Sequence, residues 1–215
     1  MSQRIPYRQI RAHYDKETIT VYQAYSKSIA EAAVREQKLS ASPDFSFSRM
    51  TWIKPSFCWM MYRSGYGTKD ARQTNILAIT MTHANFRKLL MQAAVCNSGP
   101  LSEEDRKKHV RVQWDPERSP ALGMLEYRSL QVGIGRGAVE WWVNEGILGI
   151  EDVTSMAENL RNEMGNKRAE RKSVAELVEA GCLPVEEVYE VDEELGKVLE
   201  MDFVARLKKG AKGLE

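Results

Sequence analysis

The amino-acid sequence predicts an α+β fold, with a mixed or antiparallel sheet core, surrounding helices and a C-terminal helical tail. Three observations lead there. Short β-branched or apolar runs, such as TITVYQAY (18–25), ILAITM (76–81) and LEYRSLQVGI (125–134), read as strands. Helical runs fall between the strands without strict alternation, in the order strand, helix, helix, strand, helix, strand, strand, helix. From about residue 155 the chain turns charged and helical. Irregular alternation argues against a doubly wound parallel sheet.

The elements follow in order. The opening, with its Pro, Arg and Tyr, reads as an extended arm. After the strand at 18–25 comes SIAEAAVREQKL, a helix in which Ser28 and Glu31 have capping-box spacing. SASPDFSFS (40–48) is a loop by its Ser and Pro. Residues 55–64 make a helix, with Pro55 in its first turn and Gly65 at its C-terminal cap. The buried strand at 76–81 leads into a helix through THANFRKLLMQAAV, with Phe86, Leu89, Leu90 and Ala93 on its core face. VRVQW (110–114) alternates as a strand, and DPERSP reads as a turn-rich loop. The strand at 125–134 turns at GRG into AVEWWVNEG, a short helix. The segment 164–172 reads equally as a loose connector or as continuous helix.

The whole chain sets bounds on function. Its 215 residues suit one α+β domain over 1–202, with 155–202 as an acidic helical tail packed on it and 203–215 as a disordered tail. No run reaches the ~18 uncharged residues of a membrane helix, and no apolar signal region opens the chain, so a cytoplasmic protein without a membrane partner is expected. Three cysteines and three histidines are scattered, so neither a disulfide framework nor a metal site is expected. The net charge of +1 hides an asymmetry. Residues 1–138 hold 21 Lys and Arg against 12 Asp and Glu, a balance of +9. Residues 139–202 hold 6 against 17, a balance of −11. An anionic ligand therefore belongs to the first part.

The stretch RMTWIKPSFCWMMYRSGYGTK (49–69) concentrates aromatic residues and the cations Arg49, Lys54, Arg63 and Lys69. On helix 55–64 Arg63 is the one charge, and Trp59 lies four residues before it. Buried there, Arg63 needs a partner. Two readings stand side by side. It pairs with Asp115, Glu117 or Glu126 inside the core, or it stacks on Trp59 and forks onto a ligand phosphate. The Gly65-Tyr66-Gly67 exit lets backbone approach a ligand, while Tyr66 offers a ring for stacking and Lys69 a charge. It is not a Walker loop, and GIGRG (133–137) is not a dinucleotide fingerprint. WDPER (114–118) is either a salt-bridge knot or an acid–base pair.

RAHYD, TITVYQAYSKSIAEAAV, the 49–69 stretch, VRVQWDPER and RSLQVGI…GILGIEDVT together resemble the family called domain of unknown function 4291. The resemblance runs to about residue 202 and implies a unified domain; the family label carries no activity. In its order of elements the chain also looks like NAD-consuming ADP-ribosyltransferases. That likeness implies Arg11 or His13 as the residue orienting NAD, Tyr62 or Tyr66 as the aromatic at the nicotinamide, and Gln131 at the last strand. A Gln cannot act as a base, so Glu126 would take the proton.

Three functions remain open on these grounds. The first is an enzyme acting on a nucleotide-type ligand, NAD being the preferred cofactor, with Arg63 and Arg11 on phosphates, Tyr66 on a ring and Gln131 on a ribose hydroxyl. The second is a non-catalytic nucleic-acid-binding module with its Arg and aromatic residues spread over an open surface. The third is an interaction protein whose arginines are paired internally. The first predicts that Arg63, Tyr66 and Lys69 share one concavity with Arg11 and Gln131.

Overall fold

The computed structural model describes residues 6–97, 99–166 and 172–201. The expected tail 203–215 lies outside the described residues, as does most of the 164–172 connector. The fold is α+β, with mixed and antiparallel sheets surrounded by helices and with further helices toward the C-terminus.

Two sheets carry the core. The first is antiparallel, β2 (Thr18–Tyr25) pairing with β4 (Asn75–Thr82) and β4 with β8 (Gly149–Asp152). The second has the order β3-β7-β6-β5, formed by β3 (Thr51–Ile53), β7 (Met124–Ile134), β6 (Val110–Arg118) and β5 (Ala93–Val95). Its pairs are antiparallel except β5 with β6, which is parallel. Between β2 and β3 the link is a backbone exchange: Tyr22 N donates to Lys54 O at 2.7 Å and Lys54 N to Tyr22 O at 3.0 Å. A two-stranded pair, β1 (Ile10–Ala12) with β9 (Glu187–Tyr189), ties the start of the chain to its late segment.

Several sequence readings shift here. The expected helix through residue 95 ends earlier: α3 is His83–Met91, and Ala93–Val95 complete the second sheet. Buried Ala93 and Ala94 gain a strand partner there, and tertiary pairing overrides helix propensity. β6 runs on through DPER, expected as loop, to Arg118. Pro116 has no N–H for the ladder, and register with β7 shifts between Pro116 and Arg118. The helix α1 (Lys27–Glu36) starts after Ser26 without a side-chain cap. Ser28 instead donates to Asp44 Oδ2 at 2.7 Å, so the expected capping box is absent. A capping box does form at Ser173 and Glu176, opening α7 (Val174–Glu179).

The helix α2 (Phe57–Ser64) starts two residues later than expected. Ser56, not Pro55, frames its N-terminus: Ser56 Oγ accepts from Trp59 N at 3.1 Å. Gly65 ends it with φ of 59°, the left-handed conformation that suits glycine. Phe57, Met60 and Met61 are buried, and they share a core cluster with Leu160 of α6 (Thr154–Gly165), Leu177 of α7, Cys182 and Leu183. Leu195 of α8 (Glu193–Val198) and Leu199 join the larger core. The acidic late segment also reaches basic partners: Arg87 meets Asp192 at 2.9 Å and Glu194 at 2.6 Å, and Arg8 meets Glu200 at 3.1 Å. Among the described residues no helix is long and apolar enough to cross a membrane.

Candidate functional site

Strand alternation builds the site. Along M-T-W-I-K, Met50, Trp52 and Lys54 share one side of the β3 run, while Ile53 points into the core. All three line a cleft of about 700 Å³. Further lining comes from the neighbouring β2, with Gln23 and Tyr25, and from the loop carrying Asp44, Phe45 and Arg49. Arg63 of α2, Arg72 and Gln131 of β7 complete it.

Side-chain amides are fixed within this lining. Gln23 Nε2 donates to Thr51 Oγ1 at 2.6 Å and to Trp52 O at 3.0 Å. Tyr25 OH donates to Gln23 Oε1 at 3.2 Å. Gln131 Nε2 donates to Gln113 Oε1 at 2.7 Å and to Asp115 Oδ2 at 2.6 Å. The acceptor side of Gln131 thereby stays unused by the described residues.

The charges are uneven. Four cations, Arg49, Lys54, Arg63 and Arg72, line the cleft with a single carboxylate, Asp44, among the described residues. Arg72 is held by Asp70 at 2.7 Å. Arg49 and Arg63 are exposed and make neither a hydrogen bond nor an ion pair among the described residues. Lys54 is 2% exposed. Its Nζ sits 4.6 Å from the ring centroid of Trp59 and has no ion-pair partner there. Burial, and then the charge of Arg63, push its pKa down to about 7, against the opposing pull of Asp115. Burial in turn raises the Asp115 carboxyl above its ordinary range, with Lys54 opposing.

The residues singled out from sequence divide. Arg63 and Gln131 lie on the cleft. Arg63 is exposed, so the core salt bridge with Asp115, Glu117 or Glu126 does not form; an eight-residue helix lets Tyr62 and Arg63 emerge at its end. Nor does Arg63 stack on Trp59, whose ring carries Lys54. Tyr62 instead lies under the Arg118 guanidinium at 3.6 Å and edges onto buried Trp59 at 5.9 Å. Tyr66 turns away, its OH donating to Pro120 O at 2.6 Å. Lys69 is exposed just past that turn and does not line the cleft.

Arg11 and His13 are also elsewhere, because pairing of β1 with β9 sets them against the late segment. Arg11 Nη2 donates to Glu186 O at 2.9 Å, and His13 Nδ1 meets Val185 O at 2.8 Å. Glu126 is exposed on β7, on the far side of the register shift from Gln131, and the carboxylate beside Gln131 is Asp115. The concavity expected to gather Arg63, Tyr66, Lys69, Arg11 and Gln131 therefore holds two of these five. Sequence reasoning passes over Gln23, and it takes Arg49 and Lys54 only as part of the basic character of the 49–69 stretch, with no role of their own. The alternation of Met50, Trp52 and Lys54 around a buried Ile53 was the available signal.

A second polar cluster lies at the N-terminus of α2. Glu186 Oε1 accepts from Phe57 N at 2.6 Å. Glu117, 2% exposed, accepts through Oε1 from Ser56 Oγ at 2.9 Å and from Arg118 N at 2.7 Å. Burial first, with the Glu117 charge adding to it, raises the Glu186 carboxyl to about 8, against the Phe57 N–H and Arg11. Among the described residues no group of three or more His, Cys, Asp or Glu side chains is placed to hold a metal ion.

A family model described as Domain of unknown function (DUF4291) matches residues 9–189. That span covers most of the 215 residues, and the chain belongs to this family. No curated protein matches the chain.

Proposed function

We propose that this member of the domain of unknown function 4291 family binds a nucleotide-type anionic ligand, NAD being the first candidate, in the cleft between β2, β3 and α2. The observation that carries the reading is the cleft's unbalanced charge. Among the described residues Arg49 and Arg63 have no ion-pair partner, and Lys54 is buried without a carboxylate partner. A buried, unpaired cation is unfavourable, and a phosphate arriving beside it supplies the missing counter-charge. Guanidinium forks suit phosphate oxygens. Trp52, Tyr25 and Phe45 offer ring surface for a base, and the amide of Gln131 is oriented for a hydroxyl. A volume of about 700 Å³ is within the range of small-ligand sites. Of the residues implied by the ADP-ribosyltransferase likeness, Gln131 alone lines this cleft among the described residues, so charge and shape support the reading more than that likeness does.

The experiment is a thermal-shift and calorimetric screen of the whole chain with NAD, ADP-ribose, ATP and a short single-stranded RNA. A small nucleotide should raise the melting temperature with a concentration dependence set by its affinity. The Arg49→Ala and Arg63→Ala variants should lose most of that shift. RNA binding that survives both changes, with no small nucleotide bound, would move the function to an open nucleic-acid surface.

A further inference from the structure

We propose that Lys54 is a carbonyl-reactive amine, its Nζ forming an imine with an aldehyde or ketone group of an anionic ligand held in the cleft. The inference rests on the anion-binding reading above. Lys54 differs from the lysines that carry ion pairs. Lys108 has Asp105 at 2.8 Å, Lys172 has Glu163 at 2.7 Å, and Lys197 has Glu193 at 2.7 Å. Lys54 has no such partner, is 2% exposed, and lines the cleft. Its position is nonetheless defined. Its N–H and C=O both bond to Tyr22, and its Nζ lies 4.6 Å from the Trp59 ring centroid.

The surroundings weaken the ordinary preference for the ammonium. Apolar burial and a neighbouring cation are the two devices that leave a lysine nucleophilic near neutral pH. Both occur here: Lys54 is buried, and Arg63 lies on the same cleft. Asp115 on β6 acts the other way and is the carboxyl close enough to be felt. A lysine titrating at about 7 is roughly half free amine at pH 7, against about 0.04% for one at the ordinary 10.4. The step balances without an oxidant or reductant. The Nζ lone pair bonds to the carbonyl carbon, and the carbon–oxygen double bond gives way. The oxygen then leaves as water with the two amine protons. Arg49 and Arg63 would hold the ligand's anionic group while the carbonyl reaches the floor.

The test uses two aldehydes on the whole chain at pH 7, pyridoxal phosphate and unphosphorylated pyridoxal, each reduced with borohydride and mapped by peptide mass. Lys54 should carry the adduct before any other lysine. The phosphorylated aldehyde should label it at least tenfold faster, and ATP should slow that labelling. Lys54→Arg keeps a cation but has no amine to trap, and Lys54→Met removes both; each should drop labelling to the surface background, with circular dichroism confirming the fold. Labelling spread over surface lysines with Lys54 not ahead, while ATP still raises the melting temperature, overturns the amine proposal and leaves the anion reading standing. Preferential labelling of Lys54 at equal rates by both aldehydes, without protection by ATP, supports the amine and overturns the anion reading.

Discussion

Replacing Lys54 with Met tests whether the cleft floor is desolvated. Met keeps the length of the side chain and its contact with Trp59 but removes the charge. In the folded protein the Lys54 pKa falls to about 7 from 10.5. A depressed lysine pKa means that the unfolded chain binds more protons than the folded one between about pH 7 and pH 10.5. Stability therefore rises with pH through that window, and the full cost of the buried ammonium is present below it. At about 1.4 kcal/mol per pH unit, that cost is on the order of 5 kcal/mol at pH 6 and about 2 kcal/mol at pH 9. Lys54→Met should thus exceed the parent in stability, with an advantage about 3 kcal/mol larger at pH 6 than at pH 9. Denaturant unfolding of both proteins at the two pH values, extrapolated to water, measures the difference, and other titrating groups cancel between them. An advantage that does not change with pH would show the amine to be hydrated in the folded state. The argument for an anion drawn to this floor would fail with it. A bound anion should also raise the Lys54 pKa, so ligand binding should take up protons above pH 7.

Other expectations follow from the same geometry. Arg63→Ala removes no hydrogen bond or ion pair among the described residues and relieves a repulsion with Lys54, so its melting temperature should not fall, while nucleotide affinity should fall about tenfold or more from loss of a charge-assisted bond worth roughly 1.5–3 kcal/mol. A stability loss with unchanged affinity would return Arg63 to a purely structural role. The raised Glu186 carboxyl works with the opposite sign to Lys54: the folded state holds its proton between the ordinary glutamate value and about 8, so stability should fall as pH rises through that window. Glu186→Gln can still accept from Phe57 N and should flatten the fall, measured as melting temperature between pH 5 and pH 8. Gly67→Ala should destabilise by about 1–2 kcal/mol or more. Its φ is 79°, and a Cβ would stand 2.9 Å from the Thr74 carbonyl oxygen. A melting temperature within a degree of the parent would refute that.

How far the sequence revealed the fold depended on whether the signal was local. Thr18–Tyr25 was legible from its β-branched and aromatic residues, and the end of α2 from Gly65. Ala93–Val95 was not, because an Ala-rich run follows a good helix and only the distant β6 gives it a strand partner. Pro116 argued for a loop, but one missing N–H is tolerated where register shifts. For the site, composition pointed to the right stretch and misassigned the charges within it. Arg63 stood out as the single cation on an apolar helix, yet so short a helix brings its last residues to the surface. Lys54 was legible only as one of several basic residues in the 49–69 stretch. Its burial follows from two things the local pattern did not show, the exchange of backbone bonds with Tyr22 and the side of β3 that faces the cleft.

The charge asymmetry becomes meaningful in the same way. The acidic late segment neutralises Arg8 and Arg87 directly and offers Arg11 a backbone carbonyl at Glu186. It contributes no residue to the described lining of the cleft. Some basic residues placed early in the chain pair with near neighbours in sequence, as Arg35, Arg72 and Lys108 do, and the rest include two further sets. One set is matched by the late segment and anchors it across the fold. Arg49, Lys54 and Arg63 are left unmatched on one concavity. Unlike Lys16, Lys38 and Lys69, which face solvent, Lys54 is buried. A lysine buried without a counter-ion costs folding free energy that solvent exposure would avoid. A binding role accounts for that cost: the unfavourable charge remains available for a ligand that completes the pairing.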